Sequence, residues 1–273
     1  MVTDAGGGYS RWNDLALTRW REGATCEAYG AFCYIKDMDG GEVWSTTRNP
    51  VAARAGVYKA QFSRGLAAFR VRAHDIEIQT AVAVSADDDV ELRRLCITNH
   101  SPIRRRLALT SYAELVLGPA AADAAHPAFE KLFVETDVLH ELQAVVCRRR
   151  ARSPDEQTPT WFHQVVTEQP PSEPLSFETD RARFVGRGRD PTDPQAMEDW
   201  APLSGSAGPV LDPMAGIRCA VSLAPGESTT VDWISGVGAT LKACVDLMRK
   251  YRDRTTADGV DGGARVAAQA VLD

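Results

Sequence analysis

Apolar residues recur at every second position in short runs that follow one another from residue 32 to residue 236. Ala67, Phe69 and Val71 form one such run, and the next begins with Ile76 and Ile78. This spacing is typical of β-strands that bury one face, because successive side chains of a strand point to opposite sides. Many strands without intervening helices pack as antiparallel sheets placed face to face. The sequence therefore predicts an all-β fold, a large two-sheet antiparallel β-sandwich.

Some of the predicted strands carry more detailed information. An Asp-Gly-Gly sequence at residues 39–41 predicts a hairpin turn, since glycine supplies the positive φ angles of tight turns. Within residues 89–99 the apolar positions change parity, which predicts a β-bulge near Arg93 or Arg94. Apolar residues keep one parity from 107 to 117, so a strand longer than average is expected there. Further strands are predicted at residues 132–148, 161–167, 183–185, 217–223 and 229–236.

One helix and several irregular segments complete this interpretation. Residues 13–22 fit either a short helical turn or an irregular arm on a surface. Residues 238–252 repeat apolar side chains at helical spacing after Thr240, an N-cap candidate, and this apolar stripe must pack on the sandwich or on a domain outside the chain. Residues 255–263 are rich in Gly and Asp and predict a linker. Four loops are long for a compact domain: residues 118–131, 150–160, 168–176 and 186–213.

Composition and charge restrict the class of protein. The 273 residues fit one large all-β domain or two smaller ones, and the net charge of −6 argues against a nucleic-acid partner. No segment has the features of a signal peptide or of a membrane-spanning helix. The six cysteines lack CxxC spacing, which favours buried thiols in a reducing, cytoplasmic setting over a metal site.

The first fifty residues carry an unusual density of aromatic and arginine side chains. Three glycines at positions 6–8 precede Tyr9, Arg11 and Trp12, and Trp20 follows between two further arginines. Aromatic rings stack on apolar faces, while the guanidinium group donates hydrogen bonds in a fixed fork. Both groups suit a hydroxyl-rich ligand, so Arg11 and Trp12 are predicted to contact sugar.

Several motifs in order along the chain resemble glycoside hydrolase family 94, formerly glycosyltransferase family 36. They are GGGYSRWNDLALTRWRE from residue 6, YIKDMDGGEVWS from 34, SYAELVL from 111, AADAAHPAFEKLFVETD from 121 and ETDRARFVGRGR from 178. The family contains cellobiose, chitobiose and oligoglucan phosphorylases and the phosphorylase-like part of cyclic β-1,2-glucan synthases, which the chain resembles most. The resemblance implies a galactose-mutarotase-like supersandwich over residues 1–237. A helix and linker over 238–273 would then lead to an (α/α)6 catalytic barrel that this chain lacks.

The resemblance also implies a role without chemistry in this chain. We expect a carbohydrate-associated domain that shapes the acceptor site and the homodimer of a β-glucan phosphorylase or cyclic β-1,2-glucan synthase. No catalytic residue, metal or cofactor is expected here, and inorganic phosphate would be a co-substrate of the full-length enzyme. The expected partners are a β-glucan oligosaccharide, the catalytic barrel and a second copy of the chain. The location would be cytoplasmic, including the cytosolic part of an inner-membrane synthase.

One loop carries the most specific expectation. In the related phosphorylases an adjacent Gln-Arg pair, following Asn-Phe, reaches the acceptor sugar in the partner subunit. Here Glu130 and Lys131 follow Ala128 and Phe129, so a carboxylate replaces the amide and an ammonium replaces the guanidinium. His126 lies in the same loop. Glu130, Lys131, His126 and Phe129 are therefore predicted to bind substrate, and a salt-bridged loop without a ligand is the alternative.

Two other classes of function remain open from the sequence. One is a stand-alone carbohydrate-binding module. The other is an aldose-mutarotase-like enzyme, which needs a general acid and base, typically His and Glu, on one face of the sheet. His74, His140 and His163 are the histidines available on predicted strands, and none has a recognisable carboxylate partner.

Overall fold

The computed structural model describes residues 1–21, 29–52, 56–151, 153, 156 and 158–269, with the backbone alone for 261 and 263–269. Glu22, Cys26, several positions of the 150–160 loop and the last four residues of the expected linker lie outside the described residues. The strands in chain order are β1 (Arg11–Trp12), β2 (Leu15–Thr18), β3 (Phe32–Asp37), β4 (Val43–Ser45), β5 (Val57–Ser63), β6 (Leu66–Ala73), β7 (Ile76–Val84), β8 (Val90–Asn99), β9 (Arg105–Pro119), β10 (Val134–Leu139), β11 (Ala144–Arg149), β12 (Thr160–Thr167), β13 (Ser176–Asp180), β14 (Pro213–Leu223) and β15 (Ser228–Gly238).

These strands form two sheets. Sheet 1 has the order β1-β2-β9-β14-β13, with β3 also paired to β9 and β4 paired to β3. Sheet 2 has the order β10-β11-β12-β15-β8-β7-β6-β5. Every pairing between these strands is antiparallel. The predicted all-β, two-sheet antiparallel sandwich is confirmed.

The long strand β9 organises sheet 1. It pairs with β14 along one edge, and its other edge carries both β3 and β2. Leu107, Leu109, Ala113 and Leu115 belong to the core between the sheets, as the constant parity of this segment predicted. At about 3.3 Å per residue, fifteen residues span roughly 50 Å. The end of β9 therefore lies far from its start and places the following loop at one end of the sandwich.

The predicted bulge in β8 does not form. The strand keeps a continuous register with both β7 and β15 from one end to the other. Val90 and Leu92 instead face away from sheet 1, whereas Leu95 and Ile97 face the core between the sheets. The parity changes because sheet 2 is buried on both faces, so apolar residues are useful on either side of the strand.

Two helices cover the outer face of sheet 2. In α4 (Leu241–Arg252), Thr240 is the N-cap, and its hydroxyl accepts a hydrogen bond of 3.2 Å from the amide of Ala243. The buried residues of α4, including Met248, pack on Val90, Leu92 and Ile234. The apolar stripe of this helix is therefore covered by the sandwich.

The second helix corrects the linker prediction. Residues 255–263 were expected to form a linker, but α5 (Arg254–Gln269) is helical through this segment. Its Ala257 is buried and Val260 packs beside it against the same cluster as α4. This apolar contact with sheet 2 outweighs the low helix propensity of the glycines.

Three further segments differ in detail from the prediction. Residues 183–185 belong to a helical turn, α3 (Arg181–Val185), in which Asp180 caps the amide of Ala182 and Phe184 packs on sheet 1. Residues 132–148 form the hairpin β10–β11 around a 3-10 turn at His140–Leu142. The start of 13–22 forms β2, so this arm joins sheet 1 in extended form.

Candidate functional site

The loop at residues 118–131 is built from two helical turns that follow the end of β9. These are α1 (Ala120–Ala125) and α2 (Pro127–Lys131). His126 separates them with an extended φ of −141°, because a residue before proline is biased away from the helical region. Both helical turns have defined positions, and ion pairs with charged side chains of the sandwich stabilise each of them.

A buried ion pair holds α1. The guanidinium of Arg19 donates to both carboxylate oxygens of Asp123, at 3.1 and 2.8 Å, and to Glu114 at 2.9 Å. All three side chains are almost completely buried. Burial alone would lower the pKa of Arg19, but the bonds to Asp123 and Glu114 outweigh it and raise the pKa. Arg19 therefore stays charged, and its bonds to Asp123 fix α1 to the arm that precedes residue 22.

Glu114 is the centre of this network. Besides Arg19, it accepts hydrogen bonds from the hydroxyl of Tyr112 at 2.6 Å and from Arg181 at 2.7 Å. Burial would raise the pKa of Glu114, but the positive charge of Arg181, the Tyr112 hydroxyl and Arg19 lower it overall. Asp212 lies 3.6 Å from Arg181 and completes the group. We call Arg19, Glu114, Asp123, Arg181 and Asp212 the anchor cluster.

Two ion pairs hold α2. The ammonium of Lys131 lies 2.5 Å from Asp212 of the anchor cluster. Glu130 is 5% exposed and pairs with the buried guanidinium of Arg149 on β11. The Arg149 guanidinium also lies over the ring of Phe133, 5.2 Å from its centroid. Glu130 therefore points into the protein, although the sequence predicted an exposed loop.

The other predicted loop residues face outward. His126 is exposed and Phe129 is 52% exposed, with its ring edge-on to Phe133 at 5.1 Å. The loop thus exposes His126 and Phe129, leaves the Lys131 side chain 19% exposed and keeps Glu130 beneath them. The signal for the anchor cluster is visible in the sequence as a charged residue, Glu114, in the middle of an apolar strand, but its partners are distant in the chain.

Arg11 and Trp12 lie on β1, on the other side of α1. Arg11 lines a cleft of about 310 Å³ together with Tyr9, Trp20 and Asp123. Both Arg11 and Trp12 line a neighbouring cleft of about 170 Å³. The predicted residues therefore form two groups, one on the outer side of α2 and one in the clefts beside α1.

The three histidines considered for a mutarotase site lie apart. His163 is buried, and its ring nitrogens lie 2.9 Å from the hydroxyls of Ser111 and Ser235. Burial and the charge of Arg93 lower its pKa to about 3, so this imidazole stays neutral. The ring of His74 is tilted by 37° against Trp44, and His140, in the 3-10 turn between β10 and β11, contacts Phe177 on β13. Within the described residues these rings do not converge on a shared acid–base site.

Neither the cysteines nor the other metal-ligating side chains form a site in the part of the chain that the structure describes. Over the described ranges, no group of three or more His, Cys, Asp or Glu side chains could hold a metal ion. The five cysteines in this part of the chain are free thiols. Burial raises the pKa of Cys219 to about 12 and that of Cys244 to about 11, so neither is a reactive thiolate. Within the described helices, none is long and apolar enough to cross a membrane.

Residues 1–254 match the family model of the glycosyl hydrolase 94 supersandwich domain. The chain belongs to this family. It is 32% identical over 231 residues to the cyclic β-(1,2)-glucan synthase NdvB of Rhizobium meliloti, covering 85% of this chain and 8% of that protein. It is also 24% identical to the N,N'-diacetylchitobiose phosphorylase of Vibrio proteolyticus, covering 87% of this chain and 29% of that protein. The resemblance found in the sequence is confirmed.

Solved structures agree on the fold of this glycosyl hydrolase 94 domain. A bacterial glucoamylase crystallised with acarbose aligns with a TM-score of 0.52 at 5% identity, covering 92% of this chain and 32% of the glucoamylase chain. At this identity the likeness describes the fold alone. The chain spans less than a third of the length of the relatives that it matches.

Proposed function

We propose that this glycosyl hydrolase 94 domain is the non-catalytic N-terminal domain of a β-glucan phosphorylase or cyclic β-1,2-glucan synthase, and that its 118–131 loop shapes the acceptor site. The family assignment and the names of the relatives support the enzyme class. The observation that carries the role of the loop is its double anchorage, with α1 fixed through Asp123 and α2 through Glu130 and Lys131.

Anchorage of this kind suits a loop that meets a ligand. Each side chain or backbone segment that must be ordered on binding costs free energy, and a loop already fixed in place avoids that cost. Two of the three ion pairs are buried, so they are weakly screened by salt. The loop therefore presents one surface, formed by His126, Phe129 and Lys131, in a constant position.

The exposed side chains match a sugar acceptor. The ring of Phe129 offers an apolar face, His126 offers ring nitrogens, and the partly buried ammonium of Lys131, ion-paired with Asp212, has three donors. Glu130 would have to leave Arg149 to bind a hydroxyl. In this proposal Glu130 acts through Arg149, by holding α2 in place, and the sugar contacts come from its three neighbours.

The remaining parts of the proposal concern the whole enzyme. The domain would pack against an (α/α)6 catalytic barrel, form a homodimer and act in the cytoplasm or in the cytosolic part of an inner-membrane synthase. Inorganic phosphate would be a co-substrate of a phosphorylase and would bind outside this domain. The isolated chain is expected to release no glucose 1-phosphate from β-glucans in phosphate buffer.

Kinetics of an enzyme that contains this domain test the role of the loop. We expect His126→Ala and Phe129→Ala each to raise the KM for the acceptor glucan about five- to tenfold with little change in kcat, as when a binding contact of roughly 1 kcal/mol is removed. The matched control is Ile103→Ala, an exposed apolar residue in the turn before β9, at the opposite end of that strand. Unchanged KM values in both loop variants would refute the proposal.

A further inference from the structure

The cleft beside α1 is separate from the outer surface of the loop. It has a volume of about 310 Å³ and lies between β1, β2 and the inner side of α1. This volume is at the lower end of the range for small-molecule sites. A second cleft of about 170 Å³ shares Tyr9 and Arg11 with the first, so Arg11 stands between two compartments.

Aromatic rings form a wall of the larger cleft. The rings of Tyr9 and Trp20 lie 6.0 Å apart between centroids and are tilted by 50°. Both side chains are half-buried, and each presents part of its ring to the cleft. Trp12, which is half-buried, lines the second compartment. Flat apolar surfaces with a polar edge are therefore available in both compartments.

Some polar groups of the larger cleft are engaged within the protein, since the N-terminal ammonium of Met1 donates to the carbonyl of Tyr9 at 2.8 Å, whereas three donors are not. Among the described residues, the guanidinium of Arg11, the hydroxyl of Tyr9 and the indole N–H of Trp20 make no hydrogen bond or ion pair. The carboxylate of Asp123, which also lines the cleft, is engaged by Arg19 at 2.8 Å. The cleft thus offers hydrogen-bond donors and aromatic faces and carries no unpaired negative charge from Asp123.

We infer that this cleft is a second carbohydrate site, which binds a neutral hexopyranose unit of a glucan independently of the acceptor loop. A pyranose ring has an apolar face for Tyr9 and Trp20 and hydroxyl oxygens that accept from Arg11. A free anion would match Arg11 but would gain nothing from the aromatic walls. The inference does not rest on the proposed role of the loop, because the described residues that line the cleft do not include residues 126–131.

Titration of the 273-residue chain tests the inference. β-1,2-Glucooligosaccharides, cellobiose, N,N'-diacetylchitobiose and inorganic phosphate would each be titrated by calorimetry. We expect saturable binding of at least one of the three sugars. We expect Arg11→Ala to weaken it at least fivefold, Trp20→Ala to abolish it and Tyr9→Phe to weaken it by loss of one donor. The side chain of Arg11 is exposed and makes no hydrogen bond or ion pair with the described residues, and alanine keeps the backbone pairing with Ala16, so this variant should keep the fold intact.

Two controls locate the binding. Trp200→Ala removes an exposed tryptophan in the 186–213 segment, and Ile103→Ala removes an exposed apolar side chain in the turn before β9. Both should bind sugar like the unmodified chain. Absence of saturable sugar binding, binding of phosphate alone, or sugar binding that Arg11→Ala leaves unchanged would overturn the inference. A negative result in this titration would not change the KM values of the loop variants. Failure of the cleft inference can therefore be distinguished from failure of the acceptor-loop proposal.

Discussion

Glu114 shows how one buried charge connects distant parts of the chain. It lies on β9, where its neighbours are apolar, and its partners Arg19 and Arg181 come from the N-terminal arm and from α3. Removing one partner of a buried ion pair typically costs about 3–5 kcal/mol, because the other charge stays buried without compensation. The anchor cluster is therefore expected to respond as a unit to substitution of any member.

His163 gives the residue-scale prediction. Its pKa is about 3 in the folded chain, lowered by burial, against about 6.5 when unfolded. The unfolded state therefore binds a proton below pH 6.5 that the folded state does not, and stability falls as the pH decreases toward 3. Between pH 7.5 and 5 the chain should lose roughly 2 kcal/mol more than the His163→Gln variant.

Urea denaturation of the unmodified chain and of the His163→Gln variant at pH 7.5 and pH 5 measures this difference in the free energy of unfolding. Other titrating groups are common to the two proteins, so subtraction isolates His163. The same pH dependence in both proteins would show that His163 is protonated in the folded state.

At the level of single residues, the sequence located the loop but not the direction of its side chains. Glu130 and Lys131 were predicted from their neighbours, and both lie in the loop at the end of β9. The burial of Glu130 depends on Arg149, nineteen residues later in the chain, which lies on β11 of sheet 2, whereas Glu130 follows β9 of sheet 1. A pairing of this kind leaves no periodic pattern and becomes visible only when the two sheets are placed together.

The element α4 allows a direct test of how sheet 2 is covered. Met248 is completely buried against the outer face of sheet 2. Truncation of a buried methionine typically costs about 2–5 kcal/mol, so Met248→Ala should lower the unfolding temperature by several degrees. Arg249→Ala, which alters the exposed neighbour on the same helix, should change stability by less than about 0.5 kcal/mol.

Differential scanning calorimetry measures the unfolding temperatures of both variants and of the unmodified chain. Equal unfolding temperatures for Met248→Ala and the unmodified chain would mean that α4 is not part of the cooperative fold.

Strands were easier to predict than the elements on their outer faces. The alternation of one parity in β9 was enough to predict its length, because one face meets the other sheet. In β8 the same reasoning predicted a bulge, since it assumed that a strand has a single buried face. The helices α4 and α5 bury the opposite face of β8, and a periodic pattern in one strand cannot show that a second layer exists.

At the scale of the molecule, the exposed apolar residues indicate where copies of the chain would associate. The apolar stripe of α4 is covered by sheet 2, so association would have to use other surfaces. Phe129 and Leu132 are exposed on the loop, and the Lys131–Asp212 pair brings Leu211, which is 76% exposed, to the same region. Exposed apolar groups that lie together favour association.

Sedimentation equilibrium measures this association between copies of the chain. The unmodified chain should self-associate as its concentration rises, and Leu211→Glu should shift the equilibrium toward monomer. A strictly monomeric profile for the unmodified chain at high concentration would contradict the homodimer proposal.

The architecture followed from the sequence because two-residue periodicity and family motifs agree over most of the chain. The candidate site could be predicted only in part from the sequence, because its geometry depends on the charged side chains of the anchor cluster, which come from five segments of the chain. Arg11 and Trp12 were identified by residue type, whereas their cleft is created by the packing of β1 and β2 beside α1.

Amide hydrogen exchange on an enzyme that contains this domain tests the acceptor-loop proposal most directly. The rate would be compared with and without saturating acceptor glucan, peptide by peptide. The proposal predicts slower exchange in residues 126–132 on addition of acceptor and no change in the turn at residues 100–104. Unchanged exchange in residues 126–132 at saturating acceptor would contradict a contact between this loop and the sugar.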